Sequence, residues 1–160
     1  MNILPPYNFT FRGDEYLFTT DNGVFYSVTF SDAAYYFVDF PDYLSISEFS
    51  IKVLQVGESI SPPSDKRVEA TIVAILKAFF SVHTNSIIYV CDNLDNRHHA
   101  RHRKFDTWFR QNQDATLEKF DNHFDIEGVE ILASLIIHAA NPYKTDIIRR
   151  FMNQPDELGK

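Results

Sequence analysis

The chain has 160 residues, of which 44% are hydrophobic and 23% are charged, and its formal net charge at pH 7 is −7. This composition is typical of one folded domain over residues 1–160 and excludes an intrinsically disordered chain. The acidic balance argues against a protein dedicated to coating nucleic acid or membrane.

The number of cysteines and the hydropathy of the sequence indicate in which cellular compartment the protein is expected. Cys91 is the only cysteine, so an intramolecular disulfide and a thiolate zinc cluster are both excluded, as fits a reducing cytoplasm. The N-terminal "MNILPPYNFTF" has no basic region followed by an apolar stretch, and no apolar run approaches the roughly 20 residues that span a bilayer. We therefore predict a soluble cytoplasmic protein without membrane contact.

The first half of the chain predicts strands followed by a helix. The alternating segments "YNFTF", "YLFTT" and "VFYSVTF", separated by turns, predict antiparallel strands. "AAYYFVDF" fits either a short strand or one helical turn. Residues 44–56 alternate with one slip, which predicts a bulged long strand, and residues 65–83 show the apolar spacing of a helix.

The second half adds two more strands and two more helices around one buried strand. "SIIYVC" predicts a strand covered on both faces, and residues 95–112 predict a helix capped by Asp95 or Asn96. "TLEKFDNHFDI" and "GVEILASLIIH" predict a strand pair around Glu127-Gly128, although alanines leave the second segment open to a helix. "YKTDIIRRFMNQ" predicts a short C-terminal helix. The fold class is therefore α+β: an antiparallel-rich mixed sheet of six or seven strands, two main helices and a short C-terminal helix.

The segment "CDNLDNRHHARHRKFDTWFR", residues 91–110, concentrates positive charge. Residues 97–110 carry five basic side chains against one acidic one, which gives +4 and leaves −11 for the rest of the chain. Helical spacing places Phe105, Trp108 and Phe109 on one stripe, and we predict that all three are buried. Asp106 and Arg110 are predicted to form an i, i+4 ion pair.

Three interpretations of this segment compete with a specific anion site. In the first, it is a solvated helix face on which Arg97 and Arg101 pair with Asp92 and Asp95. In the second, His98 and His102 bind a metal ion with the same two aspartates, as i, i+4 spacing allows. The Glu of a His-Glu-x-x-His motif is missing and interleaved cations repel a metal ion, so we predict no metal.

The third competing interpretation is nucleic-acid binding, which we do not expect because the aromatic side chains lie on the predicted core stripe. We favour a patch that binds an acidic protein surface or a small phosphate- or carboxylate-bearing ligand, since arginine forks match these groups. No cofactor is predicted, and whether the protein is an enzyme stays open. The predicted ligand-binding residues are Arg97, Arg101, Arg103, His98, His102, Asp92 and Asp95.

Two resemblances accompany these patterns. "YVCDNLDNRHHARHRKFDTWF", with the aromatic N-terminal hairpin, resembles small uncharacterised proteins of Bacteroidetes bacteria, which implies a bacterial origin and no particular chemistry. The element order resembles the Gcn5-related N-acetyltransferase fold, with residues 44–56 as its long bulged strand, "VGESISPPS" as its cofactor loop, and residues 65–83 and 95–112 as its helices.

The second resemblance implies an alternative function, that of an acyl-CoA-dependent N-acyltransferase with a degenerate cofactor loop. The family's loop is rich in glycine, whereas here Gly57 stands alone and Pro62 and Pro63 remove two amide donors. Phe105 stands near the position of the family's general-acid tyrosine. No catalytic residue carries over, so the resemblance concerns architecture.

Overall fold

The structure is a computed structural model that describes residues 4–37, 39–55, 65–92, 96–112 and 115–153. These residues form seven strands, a short 3₁₀ helix and three α-helices, which confirms the predicted α+β class and strand number. The strands are β1 Thr10–Arg12, β2 Glu15–Thr19, β3 Phe25–Asp32, β4 Ser47–Gln55, β5 Ser86–Asp92, β6 Leu117–Ile126 and β7 Val129–His138. The helices are α1 Lys66–Phe79, α2 His98–Gln111 and α3 Lys144–Met152.

The chain divides into two compact units, the first formed by Met1–Ser31 and Phe49–Ser81 and the second by Asp32–Glu48 and Val82–Lys160. The prediction of a single domain over residues 1–160 stays a prediction. None of the helices formed by the described residues has the length and apolar composition needed to cross a membrane.

The first unit packs α1 against an aromatic sheet. β1, β2 and β3 form an antiparallel meander, and β4 follows β3 in the strand order. The rings of Phe18 and Tyr26 stack at 5.1 Å, and Phe30 of β3 stacks on Phe79 of α1 at 4.0 Å. Thr71 of α1 accepts a hydrogen bond from the Tyr7 amide at 2.8 Å. The high aromatic content of the sequence is thus used in this core.

The second unit is organised around β5. The first two residues of β4 pair with β5 in parallel, Ser47 with Ile87 and Glu48 with Ile88. β7 pairs antiparallel with β5 on its other side, and β6 forms the edge beyond β7. The sheet of this unit is therefore mixed, and the predicted strand "SIIYVC" lies within β5, between β4 and β7.

Alternation along β7 assigns a different helix to each face of this sheet. Ile131, Ala133, Leu135 and Ile137 form a core cluster with Ile147 and Phe151 of α3. The intervening residues, from Glu130 to Ile136, point to the opposite face, because successive strand side chains alternate. On that face α2 contacts β5 and β7. This arrangement brings the basic helix next to the polar residues of β6 and β7.

The structure decides two segments that the sequence left open. "AAYYFVDF" contains a single 3₁₀ turn, Ala34–Tyr36, rather than a strand. "GVEILASLIIH" is a strand, and Ala133 is fully buried within it, where its small side chain suits close packing. β6 and β7 are joined at Glu127 and Gly128, whose φ angles of 49° and 81° match a two-residue type I′ hairpin turn.

Two expectations about buried side chains need correction. Phe105 is buried, but Trp108 and Phe109 are only partly buried, so the prediction of three buried aromatic residues is wrong for two of them. The buried stripe of α2 instead consists of His98 and Phe105, since its first turns lie against the sheet. His83 is exposed and stacks on the ring of His138 at 3.9 Å.

Candidate functional site

The N-terminus of α2 starts the basic segment. Arg97 is its N-cap residue, with no side-chain capping bond, so the predicted cap of Asp95 or Asn96 is wrong. Asn96 precedes it with a φ of 59°. Asp95 lies outside the described residues, and of Asp92 only the backbone at the end of β5 is described.

The three predicted arginines do not share one face of α2. Arg97 and Arg103 are exposed, whereas Arg101 is half-buried. A helix turns by about 100° per residue, so Arg103 lies about 160° around the axis from Arg101. Burial raises the pKa of Tyr89 on β5 and the positive charge of Arg101 opposes that rise, which places Arg101 on the side facing β5.

The solvent-exposed surface of α2 and its N-cap carries three basic side chains outside the buried stripe. Arg97, Arg103 and Lys104 are exposed there, and together they are called the basic face below. The Lys104 ammonium lies 5.1 Å from the centre of the Trp108 ring, which explains how a tryptophan near the surface is partly covered. The first turn of α2 contains no acidic residue.

His98 and His99 lie beside Glu130 of β7. The Oε1 atom of Glu130 is 3.7 Å from Nε2 of His98 and 3.4 Å from Nε2 of His99. The His98 side chain is 9% exposed and the His99 side chain 59%. Neither ring nitrogen of His98 has a hydrogen-bond partner among the described residues. These three residues are called the His–Glu cluster.

A second polar group joins α2 to β6. The Lys119 ammonium donates to Oδ1 of Asp106 at 2.9 Å and to Oδ1 of Asp121 at 2.5 Å, and its side chain is 7% exposed. Ser134 donates to the same Asp121 oxygen at 2.7 Å, and Nε2 of His102 lies 3.9 Å from it. Because Ser134 bonds the carboxylate directly and not a histidine, this group lacks the order of a nucleophilic triad.

The charges of this second group are set by their neighbours. The Lys119 hydrogen bond holds the pKa of Asp106 below its usual range. Burial lowers the pKa of His102, and the Asp121 charge opposes that change only in part. Arg110 completes the predicted i, i+4 pair with Asp106 at 3.1 Å, which confirms that pair. His102 therefore takes up a proton less readily than an exposed histidine.

The sequence reasoning missed Glu130, Lys119 and Asp121. All three lie on strands that follow α2 in the chain, and each contacts α2 only because that helix covers one face of the sheet. Strand alternation places Glu130 on the same face as Ser134. Which helix covers that face depends on tertiary packing, which the local pattern does not specify.

Comparisons with known proteins identify a family for this α+β chain. The sequence profile of a family of unknown function, DUF6169, matches residues 64–153, and the chain belongs to that family. The matched region runs from α1 to α3 and contains the basic face and the His–Glu cluster.

No curated protein matches the chain. Among solved structures, it is similar to a CoA-dependent acyl-homoserine lactone synthase, MesI, with a TM-score of 0.39 and 12% sequence identity. That similarity covers 93% of this chain and 75% of the other. A likeness of this extent supports no statement about activity.

Proposed function

We propose that the protein is a non-catalytic binding module that uses the basic face of α2, within residues 97–104, to engage an acidic protein surface. The observation that carries the proposal is the exposure of Arg97, Arg103 and Lys104 on α2 and its N-cap, in a chain of net charge −7. A local positive field of this kind attracts carboxylates and leaves the acidic remainder to repel unwanted anions.

The spacing of the charges favours an extended partner over a small ligand. Arg97 and Arg103 are separated by about 9 Å along the helix axis and by about 120° around it. Both guanidinium groups together therefore do not suit a single phosphate or carboxylate. A row of carboxylates along an acidic segment offers each of them a separate partner, as arginine forks require.

The acyltransferase alternative ranks second because of the N-terminus of α1. Asp65 caps that helix by accepting a hydrogen bond from the Arg67 amide at 2.9 Å, and it accepts another from the Tyr7 hydroxyl at 2.6 Å. Asp21 pairs with the Arg67 guanidinium at 3.1 Å. A pyrophosphate at this helix end would meet a carboxylate and an already bonded amide. The predicted cofactor loop, residues 56–64, lies outside the described residues.

We also propose an organismal origin and a cellular location for the protein. We place the protein in the cytoplasm of a bacterium, of the Bacteroidetes group that its basic segment resembles. Cys91 is the single cysteine of the sequence and is buried at 1% exposure, and a chain that forms no intramolecular disulfide fits a reducing compartment.

The test is a binding titration with a fluorescent peptide of consecutive glutamates, followed by anisotropy in the presence of EDTA. We expect the double variant Arg103→Ala/Lys104→Ala to weaken binding by about tenfold, because two exposed charges are lost. The matched control is Lys66→Ala/Lys77→Ala, which removes two exposed lysines from α1. We also expect affinity to fall with added salt, since exposed charges are screened.

Equal losses in the two double variants would reduce the effect to net charge and contradict the proposal. Tighter binding of inorganic pyrophosphate than of the peptide would point to a small anion. Tighter binding of single-stranded DNA would point to nucleic acid. Thermal melts of each variant separate a loss of binding from a loss of folding.

A further inference from the structure

The His–Glu cluster has the donor set and spacing of a metal site. We infer that His98, His99 and Glu130 bind a divalent transition-metal ion, with Zn²⁺ as the best match. This inference goes beyond the proposed function, which uses the outward face of α2. It departs from the sequence-based expectation of no metal because Glu130 supplies a carboxylate that the local sequence did not contain.

The distances fit a single ion. Zinc lies about 2.0–2.1 Å from imidazole nitrogen and carboxylate oxygen, so two tetrahedral ligands are about 3.4 Å apart. Glu130 Oε1 is 3.4 Å from Nε2 of His99 and 3.7 Å from Nε2 of His98. One ligand atom from each of the three residues lies within 4.8 Å of the others, and the His99 side chain is 59% exposed, so close packing does not hold its ring in place.

His98 gives the independent observation. Its imidazole is buried, yet neither of its ring nitrogens has a hydrogen-bond partner among the described residues. A buried polar group without a partner costs the free energy of its lost hydration. A metal ion at Nε2 would satisfy one nitrogen and fix the ring proton on Nδ1.

The negative charge of the neighbouring strand residues also favours a cation at the His–Glu cluster. Asp125 is the register partner of Glu130 across β6 and β7, so both carboxylates leave the sheet on the same face. Like charges directly opposite one another destabilise a strand pair. A divalent ion at the cluster would offset that repulsion. Arg97 and Arg103, which would repel the ion, are exposed to solvent, where their charges are screened.

The donor set narrows the choice of ion. Two imidazoles and one carboxylate are the ligands of many zinc sites, in which a water molecule fills the fourth position. Ca²⁺ and Mg²⁺ prefer sites built from oxygen alone. Cobalt, nickel and copper ions also bind imidazole, so they can be used as spectroscopic probes of the same site.

The test is calorimetric titration of the full chain, freed of any histidine tag, with Zn²⁺ at pH 7.5. We expect one ion per chain. Loss of a direct ligand in Glu130→Gln or in His99→Ala should weaken binding by about 100-fold, given that loss of a supporting residue costs 10–100-fold. The His99→Ala variant changes an exposed residue, so it tests the site without disturbing buried His98.

Two variants serve as matched controls. His123→Ala removes an exposed histidine of β6, and Glu127→Gln changes an exposed carboxylate in the turn beside β7. Both should bind Zn²⁺ as the natural chain does. Bound Co²⁺ should give the strong visible absorption of a four-coordinate ion in the natural chain and in both controls, and should lose it in Glu130→Gln.

Two outcomes would overturn the inference. The first is absence of Zn²⁺ binding in the natural chain. The second is binding that His123→Ala weakens as much as His99→Ala, which would show non-specific capture by surface histidines. Because peptide binding to the basic face is measured in EDTA, failure of the metal site and failure of the proposed function are distinguishable.

Discussion

At Lys119 an ammonium group on β6 lies between the carboxylates of Asp106 and Asp121, and 7% of the side chain is exposed. Lys119→Met keeps the side-chain length and removes the donor to both oxygens. We expect the free energy of unfolding, measured in urea, to fall by about 1–3 kcal/mol, because partly buried carboxylates lose their partner. Lys77→Met, at an exposed position of α1, is the control and should change stability little. Equal effects of the two variants would contradict the structural role of Lys119.

His102 predicts a pH dependence. Burial lowers its pKa in the folded chain, so the unfolded chain takes up the proton first as the pH falls. The contribution to stability is present above about 6.5, the ordinary histidine pKa, and is lost as the pH falls through the folded pKa. We expect the natural chain to lose more stability between pH 7.5 and pH 5.5 than His102→Gln does, measured by urea unfolding in EDTA. Parallel pH profiles would show that His102 does not titrate in this way.

Some residues of the candidate site were predicted from the sequence and others were not. The arginines and histidines of α2 were identified because they are consecutive in the chain. Glu130 and Lys119 were not, because each depends on a contact across more than ten residues of chain and on the choice of sheet face. Contacts between residues that are far apart in the sequence can be identified only once the fold is known.

At the scale of the element, two aromatic residues of α2 differ in how much each is expected to stabilise the helix against the sheet. Phe105 is 6% exposed and stacks on Tyr89 at 4.1 Å, whereas Trp108 is partly buried beside Lys104. We expect Phe105→Ala to cost about 3–5 kcal/mol and Trp108→Ala about 1–2 kcal/mol, in the reverse order of side-chain size. Urea unfolding of both variants decides the order. A larger loss in Trp108→Ala would restore the sequence-based view that the tryptophan anchors the helix.

Most elements were predicted because their patterns are local. α1 follows its apolar spacing and ends near its predicted bounds, and the β6–β7 hairpin follows from two alternating segments around Glu127-Gly128. The buried face of α2 was predicted less well. Both of its sides carry charge and aromatic groups, so periodicity alone could not choose the stripe that meets the sheet.

At the scale of the whole molecule, coenzyme A separates the proposed function from its alternative. We expect millimolar acetyl-CoA to leave the melting temperature unchanged, because Asp65 occupies the helix end where a pyrophosphate would bind. A ligand at a hundredfold excess over its Kd would stabilise the native state by about 2.7 kcal/mol, which a thermal melt readily detects. A clear rise in melting temperature would favour the acyltransferase.

The control for that melt is Asp65→Asn, which keeps a side-chain cap and removes the charge. If acetyl-CoA stabilises neither protein, the charge of Asp65 is not the sole barrier, and the proline-containing sequence of residues 56–64 is the next cause to test. The class of the fold was predicted from the order of elements alone. The function was not, because binding chemistry depends on side chains that the fold brings together.

The two-residue turn at Glu127 and Gly128 leads us to expect that the β6–β7 hairpin forms early in folding. β6 and β7 close a minimal loop, and such hairpins form within about 1–10 μs, whereas β5 pairs with β7 only across the intervening α2 and β6 segments. Asp125 and Glu130 therefore face one another before the helix arrives. Docking of α2 brings His98 and His99 to Glu130 of this acidic pair, so we expect the pair to gain its histidine neighbours only after the hairpin has formed.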